Sequence, residues 1–201
     1  MGGLWHGRTT IRPSDNCGSL LQTYALKKLL ERYGDVDVIN FASEKSHIIY
    51  DVFPNYKMLI KGFLHIKKSI LLLSGKKDYI KFRKEYLNIH GKEIFTEDLY
   101  KIKNKYDIVV AGSDQIWNVK MGDFDEAFFC QWTDTKKVAY APSLGGRHLN
   151  LSPNFADVKR WINDFAYLSV REEVGKKCLE EVTGKRVEKV LDPTLVLGEN
   201  V

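Results

Sequence analysis

The sequence has few of the residues that define disulfide-rich or metal-binding proteins. Its 201 residues include three cysteines, an odd number, and no C-x-x-C pair. Neither a disulfide framework nor a zinc site is therefore expected, and a reducing, cytoplasmic compartment is predicted. The five histidines are scattered and form no H-E-x-x-H motif, so no metal cofactor is predicted.

Long apolar runs are also missing. The most hydrophobic stretch, residues 58–75, is interrupted by Lys61, Lys67 and Lys68, whereas a membrane span needs about 20 apolar residues. No transmembrane segment is predicted, and the polar start of the sequence lacks the apolar core of a signal peptide.

The charge balance gives little sign of a nucleic-acid partner. The chain carries 31 basic and 26 acidic residues, for a net charge of +5. Many of the lysines lie in helix-like segments where they are expected to face water, and no basic stripe is interleaved with aromatics, so nucleic-acid binding is not predicted. The 44% hydrophobic content is ordinary for a globular domain with its own core.

The sequence does contain an alternation of helical and strand-like segments. Helices are predicted at 18–34, 154–165 and 172–184, and strands at 36–41, 107–112, 136–143 and 166–171, with a last strand-like segment at 187–194. Nearly continuous apolar strands between helices are typical of an α/β fold, a Rossmann-like doubly wound parallel sheet.

Two regions depart from this alternation. Residues 44–105 predict a helical insertion, with helices at about 56–73 and 76–88 and a short one near 96–104. No apolar strand precedes Asn16, because residues 6–15 are polar and include Pro13. The first strand of the sheet is therefore expected to be missing or displaced.

The segment "DIVVAGSDQIWN" (107–118) predicts a strand that ends in a polar cluster. Gly112 allows a sharp turn, and Ser113 or Asp114 can cap the next segment of the chain. Asp114 could also act as a general base, and Gln115 offers both donors and acceptors. Trp117 could either stack on a sugar ring or fill the core.

Other polar residues are predicted at the same edge, because ligands of parallel sheets bind at the carboxyl ends of the strands. Asn16 and Gly18 precede a helix whose N-cap could be Ser19, either as a hydroxyl or anion site or as an ordinary helix start. Gln22, one turn later, would face the same cleft or the solvent.

Three further strand ends carry polar groups. Ser143 is followed by glycines that could bring the backbone close to a ligand. Arg171 directly follows a strand and could bind a phosphate or carboxylate, or form a salt bridge with a nearby acid. Asp192 and Pro193 predict a turn that ends the last strand.

Five segments in this order resemble the polysaccharide pyruvyl transferase family over residues 14–197: "DNCGSLLQTYAL", "DIVVAGSDQIWN", "KVAYAPSLG", "LSVREEVG" and "VLDPTLVL". The resemblance implies a cytoplasmic enzyme of cell-surface or exopolysaccharide biosynthesis that needs no cofactor. It would transfer a pyruvyl group from phosphoenolpyruvate to a hydroxyl of a glycan or lipid-linked sugar. It also implies a GT-B-like architecture, with a cleft between two Rossmann-like halves.

The resemblance assigns roles to several residues. Asn16, Gly18 and Ser19 would line the cleft, Asp114 would be the base or the acid that orients the acceptor, and Arg171 would help to neutralise the donor. Cys17 stands where the family commonly has an aromatic residue.

The resemblance also implies a carboxy-terminal domain that supplies most of the phosphoenolpyruvate site. Residues 1–201 would then be the amino-terminal half with that domain absent, and turnover by this chain alone is not expected. Two alternatives stay open. One is half of a GT-B-like nucleotide-sugar glycosyltransferase, although no G-x-G-x-x-G follows a strand. The other is a non-catalytic sugar-binding fragment.

Overall fold

A parallel sheet forms the centre of the computed structural model, which describes residues 7–10, 17–43, 45, 77–146 and 149–198. Its strand order is β2-β1-β3-β4-β5-β6, and neighbouring strands pair in parallel. The strands are β1 (Gly7–Thr10), β2 (Val36–Ile39), β3 (Ile108–Gly112), β4 (Lys136–Tyr140), β5 (Tyr167–Val170) and β6 (Glu188–Lys189).

Helices alternate with these strands, which confirms the predicted α/β class. They are α1 (Cys17–Leu30), α2 (77–86), α3 (Thr96–Lys101), α4 (Phe155–Asn163), α5 (Glu173–Thr183) and α6 (Pro193–Gly198). Short 3₁₀ turns cover Glu126–Phe129 and Leu149–Leu151. The segment predicted to end the sheet at 187–194 divides into the two-residue β6 and the start of α6.

The strand order reverses direction next to β1. The chain moves outward from β1 to β2, then crosses back to β3 and continues through β4, β5 and β6. In doubly wound sheets this reversal opens a crevice at the carboxyl ends of the two central strands. In this sheet the reversal lies between β1, which ends at Thr10, and β3, which ends at Gly112.

The expectation of a missing or displaced first strand is wrong. Residues Gly7–Thr10 form β1 in the interior of the sheet, paired with β2 along their length and with β3 through Thr9 and Val110. Pairing on both sides satisfies backbone N–H and C=O groups whatever the side chains are. A polar sequence can therefore occupy a position where an apolar strand was expected.

The insertion is described only in part. The helix predicted at 56–73 lies outside the described residues, whereas α2 and α3 agree with the two other predicted helices. Ile94 forms an isolated parallel bridge with Phe41, which follows β2. Leu87 and Ile89, which come after α2, form a small buried cluster with Leu20 of α1. This cluster fixes the first helix against the insertion.

An aromatic core lies beneath the loop after β3. Its members are fully or almost fully buried: Trp117, Phe128, Phe129, Trp132 and Phe165. The Trp117 indole donates a hydrogen bond to the Phe128 carbonyl (3.1 Å), and the Trp132 indole donates to the Ala127 carbonyl (3.2 Å). Because a buried indole N–H needs an acceptor, these bonds fix the loop over the core.

Candidate active site

A ring of hydrogen-bonded polar groups connects the carboxyl ends of the strands with α1. We call it the polar ring; its side chains are Ser19, Gln22, Asp114, Arg171 and Asp192. Asp114 lies just after β3, Arg171 just after β5 and Asp192 beyond β6, as parallel pairing of these strands requires. The predicted placement of Asp114 and Arg171 on one rim is thus observed.

Asp114 is a half-buried carboxylate held on both oxygens. Its Oδ2 accepts a hydrogen bond from Ser19 Oγ at 2.5 Å, and its Oδ1 accepts one from the Gln115 backbone N–H at 2.7 Å. A carboxylate has about four lone-pair sites, so an incoming hydroxyl can still donate to it. The geometry suits an acid that orients or deprotonates a hydroxyl.

One face of α1 provides two contacts of the ring. Ser19 reaches Asp114, and Gln22 Nε2 donates to Asp192 Oδ2 at 2.5 Å. Residues three apart lie on the same face of a helix, so one helix joins the ends of β3 and β6. Since α1 begins at Cys17, Ser19 lies in the first turn and is not the N-cap. Asn16 lies outside the described residues.

Arg171 forms the salt bridge that was the alternative to anion binding. Its Nε donates to Glu172 Oε1 at 2.8 Å, and its Nη1 donates to Asp192 Oδ2 and to the Ser113 carbonyl, each at 3.2 Å. Burial alone would lower the pKa of Arg171, but the hydrogen bonds and charges of Glu172 and Asp192 raise it above its ordinary value. The guanidinium is therefore fixed as a cation between two loops.

Asp192 is a ring member that the sequence placed at a polar strand end and in a turn, without a binding or catalytic role. Its Oδ1 accepts from the backbone N–H of Thr194 (3.0 Å) and from Thr194 Oγ1 (2.6 Å), so it caps α6. Burial would raise the pKa of Asp192, but hydrogen bonds from Thr194, Gln22 and Arg171 lower it. An aspartate directly before a proline is a recognisable helix-start signal, which could have indicated this cap.

Tyr140 is a second residue that the sequence did not single out. It ends β4, and its hydroxyl donates to the Leu191 carbonyl at 3.2 Å. Burial, and then the negative charge of Asp192, raise the pKa of Tyr140. The phenol therefore stays protonated near neutral pH and holds the segment that carries Asp192.

Two predicted ligand residues occupy structural positions instead. The Trp117 side chain has no exposed surface and packs on Phe129 and Phe165, so the core-filling alternative holds and stacking on a sugar is excluded in this conformation. Ser143 is 2% exposed; its N–H donates to the Asp114 carbonyl and its own carbonyl accepts from Trp117 N–H. Ser143 thus fixes the backbone on both sides of the Asp114 loop.

The remaining predicted residues lie at the base of the ring. A Cβ on Gly112 would lie 1.9 Å from the Tyr140 carbonyl oxygen, so glycine is required by the close approach of β4. Gln115 is half-buried, and its Oε1 accepts from Asn118 Nδ2 at 3.0 Å. The Ser113 hydroxyl is buried with no hydrogen-bond partner among the described residues. If the Ser113 side chain rotates, a hydroxyl of a bound ligand could form the missing hydrogen bond with it.

The charge of the ring disfavours an anionic ligand. Two carboxylates, those of Glu172 and Asp192, bind the Arg171 guanidinium, which also contacts the carbonyl of Ser113, the residue before Asp114. Opposite charge within a few ångströms stabilises a bound ion, and like charge destabilises it. Among the residues that the structure describes, the arrangement therefore offers acceptors to hydroxyl donors, and its guanidinium is already paired with carboxylates.

Neither a metal centre nor a membrane span is found in the described part of the chain. Among its histidines, cysteines and acids, no group of three or more could hold a metal ion. None of its helices combines the length and the apolar character needed to cross a bilayer.

Comparison with known proteins gives one finding. A family model described as polysaccharide pyruvyl transferase matches residues 16–200, which is most of the chain. A search of curated proteins and a search of solved structures gave no match.

Proposed function

Because the chain belongs to the polysaccharide pyruvyl transferase family, we propose that it forms the acceptor side of an active site that transfers a pyruvyl group from phosphoenolpyruvate to a sugar hydroxyl. The polar ring is the proposed acceptor site. On this proposal the chain is one half of a GT-B-like cleft, and a carboxy-terminal half supplies most of the donor site. The proposed setting is cytoplasmic synthesis of a cell-surface or exported polysaccharide.

One observation carries this assignment. The ring presents hydrogen-bond acceptors around a carboxylate, and its one guanidinium is already shared by Glu172 and Asp192. A sugar brings several hydroxyl donors and no charge, so it matches this surface. Phosphoenolpyruvate carries a phosphate and a carboxylate, and it would need cations besides Arg171, which is already paired in the described part of the chain.

The chemistry assigns a defined step to Asp114. One sugar hydroxyl gives its proton to the Asp114 carboxylate, and its oxygen bonds to the central carbon of phosphoenolpyruvate, while the methylene carbon takes up one proton from solvent and becomes a methyl group. A second hydroxyl of the same sugar then attacks that carbon, the bond from that carbon to the phosphate oxygen breaks, and inorganic phosphate leaves with the proton of the second hydroxyl. Asp114 returns its proton to solvent, which balances the proton taken up by the methylene carbon. The product is a pyruvate ketal. A positioned general base typically contributes about 10²- to 10⁴-fold to a rate.

Arg171 has two proposed roles that an experiment can separate. As a positioning residue, it holds the Ser113 carbonyl next to Asp114 and so fixes the base. As a contact to phosphoenolpyruvate, it would release Glu172 or Asp192 and bind the phosphate in its place when phosphoenolpyruvate binds. Loss of positioning lowers kcat, whereas loss of a donor contact raises the KM for phosphoenolpyruvate.

The test measures phosphate release from phosphoenolpyruvate with a glycan acceptor. The chain is assayed alone and together with a carboxy-terminal half from the same family. We expect release only in the combined sample, with Asp114→Asn lowering kcat by about 10²-fold or more. The matched control is Asp134→Asn at an exposed aspartate away from the ring. Unchanged turnover in the Asp114 variant would remove this residue from the mechanism.

Arg171→Ala is compared with Arg160→Ala, whose side chain is 73% exposed on α4. A rise in the KM for phosphoenolpyruvate supports the donor contact, and a fall in kcat at constant KM supports the positioning role. An unaffected Arg171 variant would exclude both roles.

A further inference from the structure

A cavity of about 450 Å³ lies in the loops after β3 and β4. Its volume is within the usual range for small-molecule sites, about 300–1,000 Å³. The lining residues are Lys45, Thr96, Val119, Met121, Phe124, Asp125, Glu126, Gln131, Ser152 and Pro153. The polar-ring side chains are not among them, so the cavity is a separate candidate site.

Two side chains of the lining carry buried oxygens that are unsatisfied. Ser152 is 6% exposed, and neither its Oγ nor Gln131 Oε1 has a hydrogen-bond partner within the described ranges. Buried polar atoms are nearly always hydrogen-bonded in folded proteins. A ligand that brings hydroxyl groups would supply partners to both after a small rotation of each side chain.

The apolar part of the lining provides a firm surface. Phe124 is half-buried, and its ring packs against Phe129 in a T-shaped arrangement with the centroids 5.9 Å apart. Met121 and Pro153 line the same cavity. Aromatic side chains offer a flat apolar face with little loss of conformational freedom on binding. Such a face suits the C–H side of a sugar ring, while the hydroxyls at the ring edge meet the polar groups.

The charges of the lining disfavour an anion. Asp125 Oδ1 accepts from the Ala127 N–H (2.8 Å), and Glu126 Oε1 accepts from Asn154 Nδ2 (2.7 Å), so both carboxylates are held in place. Each can accept further hydrogen bonds. Among the described lining residues these two carboxylates outnumber the one cation, Lys45, which favours a neutral polyhydroxy ligand over a phosphate.

We propose that this cavity binds a neutral sugar residue of a glycan, as a carbohydrate subsite separate from the polar ring. The choice of carbohydrate as ligand rests in part on the proposed function. The position of the subsite rests on the cavity, its two unsatisfied oxygens and the surface formed by Phe124.

The experiment titrates the 201-residue chain with cellobiose and with lactose and monitors the backbone amides by NMR. We expect saturable shifts, in the millimolar range, centred on residues 119–131 and on Ser152. Phosphoenolpyruvate is the charged control probe and should leave these amides unchanged. The absence of saturable shifts with both disaccharides, or shifts confined to the polar ring, would overturn the proposal.

Variants sharpen the result. Gln131→Leu removes the unsatisfied amide, and we expect binding to weaken by about fivefold to tenfold, the loss of one hydrogen bond. Asn163→Leu, an amide on α4, is the matched control. Asp114→Asn should leave sugar binding at the cavity unchanged; binding lost in that variant and kept in Gln131→Leu would contradict the subsite. If Gln131→Leu fails to fold, the wild-type titration alone decides.

These measurements do not depend on turnover. Absence of phosphate release would remove the proposed function and leave the shift map as it stands. Conversely, if neither disaccharide binds in the cavity, the proposed role of the polar ring is unaffected.

Discussion

Asp114 and Trp117 are three residues apart in one loop, yet they belong to different parts of the molecule. Asp114 is half-buried in the polar ring, whereas Trp117 lies in the aromatic core with no exposed surface. The ring is held by hydrogen bonds between polar side chains, and the core is held by apolar packing. One short segment after a strand can therefore supply both a polar residue of the candidate site and an aromatic residue of the core beneath that site.

This contrast predicts different consequences of substitution in the two regions. Variants of the aromatic core should reduce the free energy of unfolding and leave the chemistry of the folded fraction intact. Variants of the ring should cost less stability and more activity. Four substitutions test how stability depends on position, from the largest expected effect on stability to the smallest.

Trp117→Ala should destabilise the protein by about 3–5 kcal/mol, because it removes a fully buried indole and leaves a cavity. Chemical denaturation monitored by circular dichroism measures the change. Tyr33→Ala is the control: this side chain is 73% exposed, and surface substitutions usually stay within about 0.5 kcal/mol. Equal losses in the two variants would contradict the burial of Trp117.

Gly112→Ala should cost at least about 1–3 kcal/mol, the usual range for overpacking. The added Cβ would lie 1.9 Å from the Tyr140 carbonyl oxygen, so β3 and β4 must move apart. Gly91→Ala is the matched control, since a Cβ there meets nothing within 4 Å. Thermal unfolding of both variants makes the comparison, and an unchanged Gly112 variant would refute the close approach.

Asp192→Asn should cost about 1–3 kcal/mol at neutral pH, because Arg171 and the cap of α6 lose a charged partner. The pKa of Asp192 is lowered in the folded protein. Its stabilising contribution is therefore present above the ordinary aspartate pKa of about 3.9 and is lost as the pH falls toward the lower folded value.

The measurement is the free energy of unfolding of both proteins between neutral and acidic pH. The difference between wild type and Asp192→Asn should shrink below about pH 4. A difference that stays constant through this range would show that the carboxylate charge contributes nothing.

Ser19→Ala should cost about 0.5–1.5 kcal/mol, the net value of one hydrogen bond. The partner is Asp114, so the loss should be smaller when Ser19→Ala is made in an Asp114→Asn background. Urea denaturation of the four proteins gives the coupling between the two residues. Additive losses would mean that the bond contributes no stability of its own.

The sequence predicted the parts of this comparison that depend on local pattern. Alternating apolar strands and helices predicted the α/β fold, and the rule for carboxyl ends of parallel strands predicted that Asp114 and Arg171 share a rim. The direction of Trp117 was left open, because a residue beyond the end of a strand has no fixed side. The polar β1 was missed because its pairing rests on the backbone.

Contacts between distant residues could not be predicted. Gln22 and Asp192 are 170 residues apart in sequence and meet through the packing of α1 against α6. The local sequence around Gln22 does not indicate Asp192 as its partner, and the sequence around Asp192 does not indicate Gln22. The sequence does contain a helix-start signal at Asp192 and Pro193. That signal predicts Asp192 as a helix cap, but it does not predict the contacts of Asp192 with Gln22 and Arg171.

The same long-range contact has a consequence for synthesis on the ribosome. Translation delivers the amino-terminal elements first, at about 5–20 residues per second, so α1 emerges well before Asp192 is made. The bond from Gln22 to Asp192 cannot form until residue 192 has left the exit tunnel. Completion of the polar ring therefore follows the emergence of residue 192, and a nascent chain stalled before that residue would lack the contact between α1 and the segment after β6.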